Sequence, residues 1–145
     1  MAQGSKPYGN FIFDLEIEGV FVAQFMECSG LKTSSEVFEI EEGGLNGRTH
    51  KFPGRSKWEN IVLKHATNAS MHLLEWRDQF LQDAFTNRRS GSIMLKDNDG
   101  VILRRWSFRD AWPISWEGPT FNSGESALAI ETLELAHEGL SVSSS

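Results

Sequence analysis

Cysteine occurs once in this chain, at Cys28, so no intrachain disulfide can form and a cross-linked secreted scaffold is excluded. No apolar run approaches the roughly 18 residues a spanning helix needs. The opening MAQGSKPYGN is polar and lacks an apolar signal core. Together these predict synthesis in the cytoplasm without a cleaved export signal. Tyrosine also occurs once, and the aromatic content is carried by 10 phenylalanines and 5 tryptophans. With 145 residues and 39% hydrophobic side chains, the chain suits one domain spanning 1–145 around one core.

Positive charge is missing after Arg109. Residues 1–47 carry two basic and eight acidic side chains, residues 48–109 twelve and six, and residues 110–145 none and six. The blocks sum to the net −6, which makes a free copy a poor general nucleic-acid binder. Alternating blocks could draw copies together. The favoured reading is that folding mixes them on one surface.

The segment NFIFDLEIEG alternates, with Phe11, Phe13, Leu15 and Ile17 on one face and Asp14, Glu16 and Glu18 on the other. That is the pattern of a half-buried strand. Gly19 allows a tight turn into VFVAQFMEC, a second strand, and SSEVFEIEE reads as a third. The stretch 42–57 then reads as an extended loop, and KWENIVLKHA resumes strand character. One helix is predicted in NASMHLLEWRDQFLQDAF, with Leu73, Trp76, Phe80 and Ala84 as its stripe and Leu74, Leu81 and Phe85 widening it. Asn68 or Ser70 would cap it. DNDG marks a hairpin between two further strands, and Pro113 marks an edge or bend. SALAIETLELAHEG reads as a long strand in which Leu128 and Ile130 oppose Leu133 and Leu135, so a bulge is expected near Glu131. Residues 1–9 and 141–145 read as flexible tails. The expected fold class is mainly β: two packed antiparallel sheets closing into a barrel or sandwich, with one flanking helix.

Most chemical motifs fail on spacing. Gly43, Gly44, Gly47 and Gly54 precede a strand, whereas a phosphate-binding loop must open a helix. His50, His65, His72 and His137 include no i, i+3 or i, i+4 pair, and Cys28 has no partner cysteine, so no metal site is proposed. Glu16, Glu18, Glu39, Glu41 and Glu42 lie on polar strand faces without a pocket to raise their pKa. Cys28 could be a nucleophile but reads more simply as a small buried hydrophobe. Arg48, Lys51, Arg55, Lys57, Arg88, Arg89, Arg104 and Arg105, with Trp58 and Trp106, could bind nucleic acid, but no known module surrounds them. No catalytic residue, cofactor or metal ligand is assigned.

Four segments occur in order: GGLNGRTHKFPGRSKWENIVLK, EWRDQF, RRSGSIMLKDNDGVILRRWSFRDAWPISWEGP and ALAIETLELAHEGL. On these, the chain resembles the tail tube protein family of contractile-tailed phages. It is most similar to inner-tube subunits of phage-tail-like contractile injection particles, over roughly residues 10 to 140. The resemblance implies a tail-tube/Hcp-like barrel with one helix, and no enzymatic activity. It implies hexameric rings stacked into a hollow tube that a contracting sheath drives through a target envelope. Expected partners are further copies of the chain, a sheath protein, baseplate or spike and tube-terminating proteins, and protein cargo in the lumen. Neither a membrane anchor nor a specific nucleic acid is expected, unless the tube belongs to a phage virion and conducts DNA. A tube-initiating baseplate relative is a third role, and a small nucleic-acid or ligand-binding barrel the rival of another class.

Under this resemblance 42–57 becomes an assembly arm. Glu41, Glu42, Gly43, Gly44, Asn46, Gly47, Arg48, Lys51, Pro53, Gly54, Arg55 and Lys57 are its expected contacts between subunits or rings. Trp112, Trp116, Leu133 and Leu135 are candidates for an apolar subunit boundary, although at least two of Trp106, Trp112 and Trp116 are expected to fill the barrel instead. Asp14, Glu16, Glu18 and Glu39 are candidates for the lumen face.

Overall fold

The structure is a computed structural model and describes residues 11–43, 47–68, 71–83, 85, 87–118 and 131–144. These form nine strands and one helix. In order they are β1 (Ile12–Ile17), β2 (Val20–Ser29), β3 (Thr33–Glu42), β4 (Arg48–Trp58), β5 (Ile61–Asn68), α1 (Met71–Gln82), β6 (Arg89–Lys96), β7 (Ile102–Glu117), β8 (Thr132–Ala136) and β9 (Gly139–Ser143). Residues 1–9, Gly44, Asn46, Ser70, Ala84, Leu128 and Ile130, on which some expectations above rest, lie outside the described residues.

Alternation fixes the first turns. Leu15 and Ile17 of β1 point inward, and the chain reverses through Glu18 and Gly19, with φ of 52° and 81°, into β2. The DNDG turn forms as its composition predicts. Asp97 Oδ1 accepts from the N–H groups of Asp99 and Val101, and Gly100 takes φ of 80°.

Seven strands build one antiparallel sheet in the order β6-β1-β2-β5-β8-β7-β9, and β6 also pairs with β7, so the sheet returns on itself. The sixteen-residue β7 makes this possible by bending. Its first half pairs with β6 and β9, and its second half with β8. The bend falls at a bulge where Arg89 opposes Ala111 but Gly91 opposes Phe108, and Asp110 takes φ of 51°. A second irregularity follows Pro113, the position predicted to bend the chain. The second sheet is β3 paired with β4 alone. Two sheets and a closed form are both present, and closure is achieved within the larger sheet.

The ring encloses Leu15, Ile17, Ala23, Phe25, Ile61, Leu63, Ile93, Phe108, Ala111, Leu133 and Leu135. Helix α1 packs on β7 and β2 and adds Leu73 and Trp76 to this core. Trp76 Nε1 donates to the Asn87 carbonyl at 2.8 Å, and Arg77 donates to the Pro113 carbonyl at 2.8 Å. The Asn87 amide donates to the Gln79 and Asp83 carbonyls, satisfying acceptors the helix end leaves open.

Three expectations need correction. The stretch 42–57 is not a loop, because its residues from Arg48 form β4 laddered on β3. The helix ends at Gln82, so Leu81 and Phe85 stand exposed instead of widening the buried stripe. Residues 141–143 are not a free tail but the end of β9, held by β7 from Arg105 to Arg109.

Gly91 shows how tightly the closure is packed. A Cβ there would lie 2.2 Å from the Glu16 carbonyl oxygen and 2.7 Å from the Phe108 ring. Gly91→Ala is expected to lower stability by about 3 kcal/mol or to prevent folding, as overpacked sites do. Gly43→Ala, with nothing within 4 Å, is expected to stay within about 0.5 kcal/mol. Urea denaturation of both variants checks this.

Candidate functional site

The β3–β4 hairpin stands apart from the barrel. All of β3 except Ser34 is exposed, and neither strand packs along another element among the described residues. Its backbone is satisfied by its own ladder, in which Phe38 opposes Phe52, Glu39 opposes Lys51, Ile40 opposes His50 and Glu42 opposes Arg48. Directly opposed side chains share a face. One face therefore carries Phe38, Ile40, His50 and Phe52. The other carries Val37, Pro53, Glu39, Lys51, Glu41 and Thr49.

The first face is apolar and open: Phe38 is 56% exposed, Ile40 55% and Phe52 47%. An ordinary solvent-facing hairpin does not display such a cluster on a strand pair. Pro53 and Gly54 sit at the ladder's register shift between Ser35 and Val37. A Cβ on Gly54 would come within 2.9 Å of the Phe38 ring and 3.0 Å of the Glu36 carbonyl. Glycine there lets Phe38 lie flat across the strand. His50 lies 3.4 Å from Glu42 on the same face.

Of the residues predicted for the arm, Glu41, Glu42, Gly43, Gly47, Arg48, Lys51, Pro53, Gly54, Arg55 and Lys57 therefore fall on one projecting element. Arg48, Lys51, Arg55 and Lys57 are all exposed. The apolar face was missed from sequence because FEI and HKF each alternate as a half-buried strand would. Only the tertiary arrangement reveals how far they stand exposed.

The remaining predicted residues scatter. Leu133 and Leu135 are fully buried within the chain itself, opposite Leu63 and Ile61 of β5, so they need no neighbour to cover them. Trp112 is half-buried, stacked on Phe80 at 6.3 Å with the Arg88 guanidinium 4.3 Å from its ring centroid. Trp116 packs against the core. Asp14 is only 2% exposed, because Lys96 on β6 lies 2.5 Å from its Oδ2. Glu16 faces Arg105 at 3.4 Å, and Glu39 opposes Lys51. These acids were read as a bare polar face. In the fold Asp14, Glu16 and Glu39 are each set against a cation of the neighbouring or next strand. Glu18 alone of the four stands at an exposed turn with no such cation among the described contacts. The charge blocks are thus mixed by folding, as Arg88 with Glu138 at 2.9 Å also illustrates.

The hairpin's root is a compact polar joint. The Glu59 N–H donates to the Lys32 carbonyl at 3.1 Å, tying the two feet together. His137, at the β8–β9 junction, packs on Trp58 with centroids 5.9 Å apart, and its Nε2 lies 3.1 Å from the Glu59 carbonyl. The Gly139 N–H donates to His137 Nδ1 at 3.2 Å. Gly30 at φ of 87° meets Asn60 so closely that a Cβ would collide with its carbonyl. A hollow of about 320 Å³ opens beside this joint, lined by Trp58, Phe108, Arg109 and Leu140 among others. Among the described residues no group of three His, Cys, Asp or Glu side chains could hold a metal ion.

A closed β ring that projects one self-paired, apolar-faced hairpin is the form of a subunit made to touch its like. The match to known families agrees. The T4-like virus tail tube protein gp19 family matches residues 9–141, and the chain belongs to that family. Its fold is that of a chain in the sheath–tube complex of an extracellular contractile injection system, PVC, in the extended state. That match has a TM-score of 0.75 and 22% identity and covers 96% of this chain and 93% of that one. A chain of the six-fold symmetrised baseplate of the anti-feeding prophage matches with a TM-score of 0.71 and 26% identity, covering 95% and 96%. Hcp1 of Flavobacterium johnsoniae matches with a TM-score of 0.52 and 18% identity, covering 92% and 96%. No curated protein sequence matches significantly.

Cys28 is half-buried against the core, and burial pushes its thiol up to about 12 from an ordinary 9.0. That is opposite to what a nucleophile needs. Native protein is expected to react with iodoacetamide at mildly alkaline pH about a thousandfold more slowly than denatured protein, following three pKa units of lost thiolate. Mass spectrometry of the alkylated fraction measures this.

Proposed function

We propose that this chain is the inner-tube subunit of a contractile injection particle. In that particle it forms hexameric rings that stack into a hollow tube, and sheath contraction drives the tube into a target to deliver cargo. The observation that carries the reading is the free-standing hairpin with Phe38, Ile40 and Phe52 uncovered, in a chain that belongs to a tail tube family. Burying half-exposed apolar side chains of this size is worth about 1 kcal/mol each. Three per arm, repeated around a ring, add to a substantial contact. Such a contact is heterologous, one face meeting a different face of a neighbour, which suits rings and open stacks. Arg48, Lys51, Arg55 and Lys57 give the arm cationic groups for carboxylates on the adjoining copy.

The role is structural and not enzymatic. Its partners are further copies, a sheath protein, baseplate or spike and terminating proteins, and protein cargo. The subunit is made and assembled in the bacterial cytoplasm. A second reading places it at the start of the tube on the baseplate. The match to a chain of a baseplate structure, at 26% identity, supports that reading. Because the matching family takes its name from a T4-like virus, a virion tail tube conducting DNA is the corresponding phage role.

Phe38→Ser and Arg55→Glu are expected to leave folded monomers, with stability changed by less than about 0.5 kcal/mol. Neither variant should form tubes when produced with its sheath and baseplate partners, as viewed by negative-stain electron microscopy. Full-length tubes from Phe38→Ser would overturn the assignment of the arm. A wild-type protein that stays monomeric beside those partners and binds DNA in a salt-sensitive way would overturn the tube reading.

A further inference from the structure

His137 sits where the hairpin meets the barrel, and its two ring nitrogens are engaged in opposite senses. The Gly139 N–H donates to Nδ1, so that nitrogen must be bare. The ring proton therefore sits on Nε2 and donates to the Glu59 carbonyl. Glu59 is the first of the two residues between β4 and β5, and its own N–H holds the other foot of the hairpin at Lys32. The ring also packs on Trp58, the last residue of β4. One buried imidazole thus joins the β8–β9 junction to the β4 foot, and through Glu59 to the β3 foot, of a hairpin with no other extended contact among the described residues.

We propose that His137 is a positioning residue that latches the hairpin to the barrel in its neutral form and releases it on protonation. A second ring proton has to enter at Nδ1, where it meets the Gly139 N–H donor head-on. The ring must turn or shift, and the Trp58 contact and the Glu59 bond are strained together. Burial holds the His137 pKa below its ordinary 6.5, with the Glu59 carbonyl opposing the shift. A base whose folded pKa is depressed gives stability that is complete above the unfolded value. That stability is lost as pH falls below 6.5 toward the folded value. Release therefore belongs to mild acid.

Two of the charged groups around the joint are engaged elsewhere. Glu134 accepts from the Asn60 amide at 3.0 Å, and Glu138 pairs with Arg88 at 2.9 Å. The Arg109 side chain lies against Gly139, and Lys32 and Glu59 contribute backbone atoms. Among the described contacts, no carboxylate faces the imidazole to stabilise its charged form. The latch deepens the reading of the hairpin as an assembly arm and rests on it for its consequence, which is detachment of a neighbouring copy. Its test uses the single subunit, so failure of the latch and failure of the tube are separate outcomes.

The test is amide hydrogen exchange on the full chain at about pH 7.5 and about pH 5, corrected for intrinsic rates. Amides of β3 and β4 are expected to exchange faster at the lower pH relative to those of β1 and β5. His137→Gln supplies a donor and an acceptor that do not titrate, and should abolish the difference. His50→Gln, which removes the hairpin's own histidine, should keep it. A hairpin indifferent to pH in the wild type, a response surviving in His137→Gln, or one lost in His50→Gln would each overturn the proposal. If His137→Gln does not fold, ¹⁵N NMR of the wild-type imidazole decides. Protonation of His137 coinciding with faster hairpin exchange supports the latch, and protonation without it, or none over that range, refutes it.

Discussion

β7 pairs with β6 along its first half and with β8 along its second only because it bends at Asp110, and every other feature of the molecule hangs on that bend. It converts an open seven-stranded sheet into a ring with an inside. The inside then selects its contents. Leu15 and Ile17 of β1, Phe25 of β2, Ile93 of β6 and Phe108 of β7 face one another because closure leaves them no alternative. Gly91 is where two backbones and an aromatic ring converge, and a side chain there has no volume to occupy. The helix is secondary to this arrangement. It covers the barrel through Leu73 and Trp76, and Arg77 fixes its angle by reaching the Pro113 carbonyl on the bent strand.

The hairpin obeys a different economy. Its hydrogen bonds are complete within two strands, yet its apolar residues gain nothing from that ladder. Two-stranded ribbons are marginal alone. The free energy that would hold this one firmly is therefore left to be supplied from outside. A subunit constructed so is stable as a body and incomplete as a surface, which is what repeated assembly requires. The tube fold shared with the sheath–tube and baseplate chains is consistent with that division.

Much of the fold was legible in the sequence where local pattern and tertiary setting agree. The alternation through Phe13, Leu15 and Ile17, the Asp97–Gly100 turn and the helical spacing of Leu73 and Trp76 are such places. β4 was not legible, because Pro53, Gly54 and four basic residues look like a loop and the strand is defined by its partner β3. Leu133 and Leu135 misled because the preceding stretch appeared to switch faces. Their burial is set by β5 and β7 on either side, which no single-strand pattern records. Asp14 looked solvent-facing because its cation, Lys96, is distant in sequence and adjacent in register. The resemblance singled out this stretch, but the three exposed apolar residues of the hairpin and the histidine at its base emerged only from the three-dimensional arrangement.

The lone thiol has a consequence at the scale of the polymer. Stacking many copies of a chain multiplies each reactive group it carries, and an accessible sulfur in every copy would invite random cross-links once the object met an oxidising exterior. Packing of Cys28 against the core disfavours its thiolate, the form that exchanges with disulfides, so this sulfur is a poor starting point for cross-links between copies.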